Sequence, residues 1–545
     1  MFRHGFLLAP VLGALILGAP AFAADRCTDT VEITVDRMGS LDDELLRIAD
    51  LVGATPLDQP RLIRHGGPRR ERICASTPTS PPFEHFAPAV VTTTGRTVVV
   101  DALPLRLATV WNDRYPSGDN DELLWAGRGV SQLLSGGASL HAGMLTLTLA
   151  PQVSWSENQA FQIVPTGLAG PQRFANAFYP NQIDLPQRFG AGPFATWSFG
   201  QSSLRLERWN AQIGVSTENL WVGSGIRNSI LMTNTGPGFP HAFIGTARPV
   251  DIWIGDLEAL VFYGRLERSR YAYEQSHPLL EGLMLTYSPR WTPGLSVGVG
   301  RLYMRSWNDL RAQDWFGFIR SPATEAGGPN TLDNQLVSFF FRWVFPESGA
   351  EVYGEWARED SSDNIYDFIH DPDHSQAYLV GLDKVFRVRS GLLRVYVELL
   401  QLQNRRNIAN AKGVPIYYIH PNGLDFTNRG QLLGAGVGPG GSSQTIAADW
   451  FHRGGRIGGY LERVLRNDEY FWEHIEQTKG VLGRDVEVRV GARQVLALGP
   501  VEVSWDVSWA RHWLRDFIDW QNDTRLMLEL RVPLGGGGGR PAPLP

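Results

Sequence analysis

From about residue 139 onward the chain is a run of alternating-pattern segments whose connections are short and long in turn. The short ones fall at Trp209-Asn210, Gly255–Glu258, Ser288–Gly294, Pro346–Gly349, Arg389–Gly391, His452–Gly455 and Leu498–Pro500. Between them lie long stretches at 157–195, 221–249, 271–279, 309–333, 360–375, 404–441, 467–483 and 514–523. An antiparallel barrel in an outer membrane has this rhythm, with tight periplasmic turns and extended external loops. A soluble β-sandwich has no reason to keep every second connection short.

The strands carry the matching period of two. Val337, Phe339, Phe341, Trp343 and Phe345 share one face, as do Val501, Val503, Trp505, Val507 and Trp509. Glu502, Ser504, Asp506 and Ser508 point the other way. In the last strand Leu526, Leu528, Leu530 and Val532 alternate with Arg525, Glu529 and Arg531; over 485–493 Val486, Val488 and Val490 alternate with Asp485, Glu487, Arg489 and Arg493. An apolar face has no use in water and a mixed Arg/Glu/Asp face none in lipid. A closed barrel with a polar lumen satisfies both. About sixteen such strands fit between 139 and 533, and two more at 96–110 and 121–134, so an all-β transmembrane barrel of 16–18 strands, with 18 the better count, is expected over 96–534.

The N-terminus sets the compartment. Arg3 and His4 precede an apolar stretch too short to span a bilayer, and Ala21-Phe22-Ala23 is a cleavage signal, so residues 1–23 read as a signal peptide. Export places Cys27 and Cys74, the two cysteines, where thiols oxidise. A disulfide between them closes a loop worth roughly 4 kcal/mol in the chain-entropy model. Leu41, Leu45, Ile48, Ala49 and Val52 recur at helical spacing over 38–53, with Ser40 as N-cap, Asp42-Asp43-Glu44 in the first turn and Gly53 as the stop. Residues 24–95 are therefore expected to form a small periplasmic helical cap, and 535–545 a Gly/Pro tail.

Composition excludes several classes. Beyond the signal peptide no run of about twenty apolar residues supplies a transmembrane helix. Aromatics reach 11%, with 18 Trp, which suits interfacial girdles. A net charge of -6 offers no basic face for nucleic acid. The cluster His370-Asp371-Pro372-Asp373-His374 reads as a solvated polar loop, because Pro372 prevents two histidines one helical turn apart from converging on a metal. Gly298-Val299-Gly300 sits within a strand, and Gly434–Ser443 lacks the Lys-Ser/Thr ending of a phosphate loop. No nucleophile elbow is present, so neither enzyme, metal nor cofactor is expected.

The stretches WNDRYPSGDNDELLWAGRG (111–129), LTLTLAPQVSWSENQAF (145–161), STENLWVGSGIRNSILMTNTGPGFPHAFIGT (216–246), GRLERS (264–269) and LLGAGVGPGGSSQT (432–445) resemble the Wzi-type capsule assembly proteins. The resemblance covers most of 100–533 and implies an eighteen-stranded outer-membrane barrel with an N-terminal helical bundle. It implies a lectin-like role in which capsular or extracellular polysaccharide is held at the surface, with outer-membrane lipid and export machinery as further partners. The tail beyond Leu534 departs from barrels that end on a terminal aromatic.

A polysaccharide site needs aromatic platforms for sugar faces and planar polar groups for hydroxyls. The external connections offer Trp221, Arg227, Asn228, Asn234, Phe239, Trp315, Phe316, Tyr366, Tyr417, Tyr418 and Trp472. The 221–249 connection, with Ile226, Ile230, Leu231 and Met232, is too apolar to stand in solvent and is expected to fold inward as a plug. A substrate-selective porin shares this topology but needs an open path.

Overall fold

A computed structural model describes residues 29–77, 82–83, 98–275, 277–310, 315–317, 333–359, 369, 375–403, 417–420, 423–472, 484–498, 501–515 and 520–534. The strands form a closed antiparallel barrel of 18. It closes where Trp520–Val532 pairs with Val98–Asn112, from Arg525 opposite Asn112 to Val532 opposite Leu105. Along Val98–Asn112 the register slips between Leu103 and Arg106, at Pro104, which has no N–H to give the ladder. Pro151 has the same effect in the third strand, which is split into Leu145–Leu149 and Gln152–Ser156.

Facing follows the period of two. Phe339, Phe341 and Trp343 are exposed on the outer wall, whereas Phe340, Arg342 and Val344 on the same strand are buried inside. Val507 and Trp509 face out while Glu502, Asp506 and Ser508 face in. The turns at 209–210, 290–294, 346–349, 389–390 and 453–454 lie within the expected short connections, and 499–500 lie outside the described residues. One turn is displaced. The chain reverses at Ile252–Ile254, where Trp253 takes φ 71°, and the residues expected to turn, Gly255–Glu258, already belong to the strand Gly255–Arg265. A second shift affects the strand expected at 121–134, which begins only at Gly129 because 113–128 folds inward as a loop.

The N-terminal piece contains the expected helix, α1 (Leu41–Leu51), with the Ser40 hydroxyl accepting from the Asp43 N–H at 3.2 Å. It is not helical throughout. Strand β1 (Thr30–Val35) precedes α1, β2 (Ile63–His65) follows it, and β3 (Arg69–Cys74) pairs with β1. The alternation in β1 and β3 spans only six residues each, too short to stand out beside the helical period. Cys74 ends β3, buried; Cys27, its expected partner, lies outside the described residues.

This piece sits in the mouth of the barrel at the end of the short turns. Leu41, Leu45, Ile48 and Ile33 form one hydrophobic cluster with the lumen-facing Val385, Leu392, Phe451 and Val495. Around it runs an alternating chain of charges: Asp50 pairs with Arg61 and, at 2.7 Å, with Arg342, which pairs at 2.6 Å with Glu351, which binds Arg47 at 2.5 Å. Glu44 binds Arg456, and Arg37 and Asp36 reach Glu529 and Arg531 near the end of the last strand. Burial alone pushes the Asp50 carboxyl up, but Arg61 and Arg342 outweigh it and hold it below the usual range. Strand residues that read as lumen charges thus serve as the seat of a cap.

Candidate functional site

The connection at 217–240 enters the lumen from the outer side. Two wall carboxylates hold it by its backbone. Glu398 accepts from the N–H groups of Ile226 at 2.6 Å, Arg227 at 3.2 Å and Asn228 at 2.9 Å, and from the Asn228 side chain at 3.1 Å. Glu355 accepts from Ser224 N at 3.0 Å and Ile230 N at 2.8 Å. Gly223, at φ 136°, lets the chain pass so close to Glu355 that a Cβ there would meet the carboxylate at 2.1 Å. A charged acceptor facing several N–H groups makes stronger bonds than a neutral one, so the segment is clamped. Ile230, Leu231 and Met232 then pack against the inward-facing Met284, Phe340 and Leu379.

Plug and cap are joined. Residues Leu220–Val222 add to β2, Trp221 lying opposite Arg64, and Gly223 N donates to Leu62 O at 2.9 Å. The Arg64 guanidinium stands 4.8 Å over the Trp221 ring. Burial, together with the cations Arg47, Arg69 and Arg342, pushes Arg64 down to about 10 despite Asp43.

Above the plug lies a cavity of about 320 Å³ lined by external connections and by the outer ends of three strands. Its walls carry Asp119, Asn120, Trp125, Asn228, Gln431 and Arg489. Below the plug a second cavity of about 250 Å³ faces the cap. Arg227, Asp119, Asn120 and Asp121 border both. Arg227 forms the partition, paired with Glu462 at 2.9 Å and Asp119 at 3.2 Å and lying 5.0 Å over the Tyr460 ring. Burial pushes Asp119 up, but Arg227 and the more distant Arg525 and Arg489 keep it below the usual range, so it stays a carboxylate at the floor of the outer cavity. With charges of both signs already paired, this cavity offers hydroxyl-sized hydrogen-bonding groups and one large aromatic surface.

The structure separates the residues expected at a site. Arg227 and Asn228 line the outer cavity. Asn234 and Trp221 border the inner one. Phe239 is core, packed 5.9 Å from Phe262. Tyr417 and Tyr418 are fully buried; Tyr418 donates to Ile230 O at 2.5 Å and accepts from Ala435 N at 3.0 Å, so it braces the plug. Trp315 and Phe316 are exposed, but on the outer wall: Tyr263, an outward residue, donates to Trp315 O at 2.8 Å, and Gly317 lies against outward Tyr303. Trp472 is half-buried after the short helix Asp468–Phe471, and Tyr366 and 370–374 lie outside the described residues. No sequence motif marks Asp119, Asn120, Trp125, Gln431 or the clamps Glu355 and Glu398. The signal for the clamps was faint: Glu398 stands in the polar face Arg394, Tyr396, Glu398, which any lumen would show.

Known proteins share this architecture. An outer-membrane protein of Escherichia coli, Wzi, described as involved in group 1 capsule assembly and as a carbohydrate-binding β-barrel, is similar in fold at TM-score 0.59 and 13% identity, over 92% of this chain and 100% of that one. OccAB4 of Acinetobacter baumannii, at TM-score 0.39 and 11% identity over 80% of this chain and 98% of its own, is too distant in shape to bear on function. No curated protein sequence matches. A family model, capsule assembly protein Wzi, matches residues 126–522, which takes in the plug, the clamps and most of the barrel, and on that match the chain belongs to the Wzi capsule assembly family, as an outer-membrane β-barrel.

Proposed function

We propose that this barrel binds capsular or extracellular polysaccharide in the outer cavity and holds it at the cell surface. The observation that carries the reading is a cavity of mixed polar and apolar lining, between external connections and outer strand ends, over a lumen filled twice, by the clamped plug and by the cap. Among the described residues the lumen is filled at two levels, which suits the barrel to retaining polymer already outside rather than exporting it. Its volume lies at the lower end for small-ligand sites, which are about 300–1,000 Å³, and suits a short stretch of a longer chain. Asn228 and Gln431 supply hydrogen bonds and Trp125 an aromatic face. The reading is of a binding protein, not an enzyme, exported by cleavage after Ala23.

A substrate-selective porin is the rival, and the plug argues against it. A labelled capsular polysaccharide titrated onto refolded protein tests the proposal. Saturable binding that weakens in Asp119→Ala/Gln431→Ala supports it. A folded protein that binds no glycan but conducts ions steadily in planar bilayers replaces it with the porin.

A further inference from the structure

The outer wall of the barrel is not evenly filled. On strand Leu295–Ser306 the outward residues that follow Leu295 from the 290–294 turn are Val297 and Val299, with larger side chains on both flanks. Register fixes the flanks: Val297 lies between Tyr287 and Phe341, and Val299 between Leu285 and Phe339. One strand further on, Gly354 faces out beside Phe341, and Trp356 stacks on Phe339 with centroids 5.7 Å apart. The outcome is an apolar furrow of about 750 Å³ with β-branched residues as its floor and aromatic rings as one bank.

Its height is equally defined. Val297 and Tyr287 each stand two residues from the ends of their strands at the 290–294 turn, so the furrow opens in the periplasmic half of the wall. The rim below it carries Trp291, 69% exposed and 6.2 Å from Tyr287, and on the neighbouring turn Trp253. Arg290 stands beside Trp291, bonded at 2.7 Å to Asp251. Tryptophan and arginine at that level belong to a lipid headgroup layer. At the opposite end Gly317 lies against the ring of outward Tyr303.

We propose that this furrow is a retained-lipid site, holding one acyl chain of a phospholipid from the periplasmic leaflet along Val297 and Val299, with its headgroup at Arg290 and Trp291. The continuous lipid-facing wall says that the occupant is lipid, and the position near the periplasmic turns says which leaflet supplies it. The site differs from the rest of the wall because its chain is enclosed on two sides, which lengthens residence through added contact.

Native mass spectrometry of the folded, detergent-solubilised protein with added dipalmitoyl phosphatidylethanolamine tests this, with lipid A as the competing probe. One phosphatidylethanolamine is expected to remain bound at collision energies that strip the other lipids. In Val297→Phe/Val299→Phe, which fills the furrow, the retained fraction should fall about tenfold, while Val490→Phe elsewhere on the wall leaves it unchanged. Heat-modifiable mobility confirms that each variant is folded, and Val297→Trp alone replaces the double variant if that fails to assemble. Equal retention by filled and parent proteins overturns the proposal. So does preferential retention of lipid A, or a dimer that the filled variant abolishes.

Discussion

Replacing Glu398 by alanine should release the plug. Its carboxylate accepts from three backbone N–H groups, of Ile226, Arg227 and Asn228, at 2.6, 3.2 and 2.9 Å. Leaving a buried donor unsatisfied costs about 1–3 kcal/mol. Three donors would sum to roughly 3–9 kcal/mol, but water from the adjoining cavity re-satisfies some of them, so the lower bound of about 3 kcal/mol is the working figure. Local opening of the plug then becomes on the order of 10²-fold more frequent. Hydrogen exchange by mass spectrometry reads this directly: peptides covering 222–232 should exchange about 10²-fold faster in Glu398→Ala, while barrel strands away from the clamp keep their protection. Glu398→Gln keeps an acceptor but loses the charge and should fall between. Unchanged exchange over 222–232 in a folded Glu398→Ala protein would refute the clamp.

Other outcomes follow from the same structure. Intact mass of the non-reduced mature protein should show Cys27 and Cys74 bonded; two alkylatable thiols would contradict this. Phe341→Arg places a charge on the lipid face, where the cost is roughly 2–4 kcal/mol at the midplane and smaller toward the headgroups, and should impair assembly; normal heat-modifiable folding would mean the facing is wrong. Asp184, in an external connection, accepts from the Ser269 backbone N–H at 2.6 Å, and burial and then Asp425 push its carboxyl up to about 6 from 3.8. The folded state therefore holds this proton more tightly than the unfolded chain, and stability falls as pH rises from about 4 to about 6, by an order of 2–3 kcal/mol. Proteolytic resistance of the external loops should decline over that window in the parent and stay flatter in Asp184→Asn.

The barrel was legible because two independent periods agree, two residues along each strand and short against long between strands. Neither depends on which polar residue occupies a lumen position, so the pattern could not separate Glu398, which clamps the plug, from Asp506, which accepts from the Tyr460 hydroxyl at 3.1 Å. The plug itself was signalled by the apolar run Ile230–Met232. Its partners were not, because Glu355 and Ile230 lie 125 residues apart and only closure of the barrel joins them. Aromatic residues misled most. Phe239, Tyr417 and Tyr418 serve the core, Trp315 and Phe316 the outer wall, and a loop aromatic looks the same in sequence whether it faces sugar, lipid or protein. The cap strands β2 and β3 were hidden by their length, and β2 gains its ladder only from residues 220–222 far along the chain.

Partition of polysaccharide between cells and medium tests the central claim most directly. It would be measured in a deletion strain and in strains carrying Asp119→Ala/Gln431→Ala or Trp315→Ala/Phe316→Ala, each checked for the amount of folded barrel. Deletion should leave polysaccharide synthesised but largely released, and the cavity variant should release it with the barrel intact. The outer-wall variant should retain it as the parent does. Unchanged partition in the deletion strain would contradict the retention role, and release in the outer-wall variant alone would move binding away from the cavity.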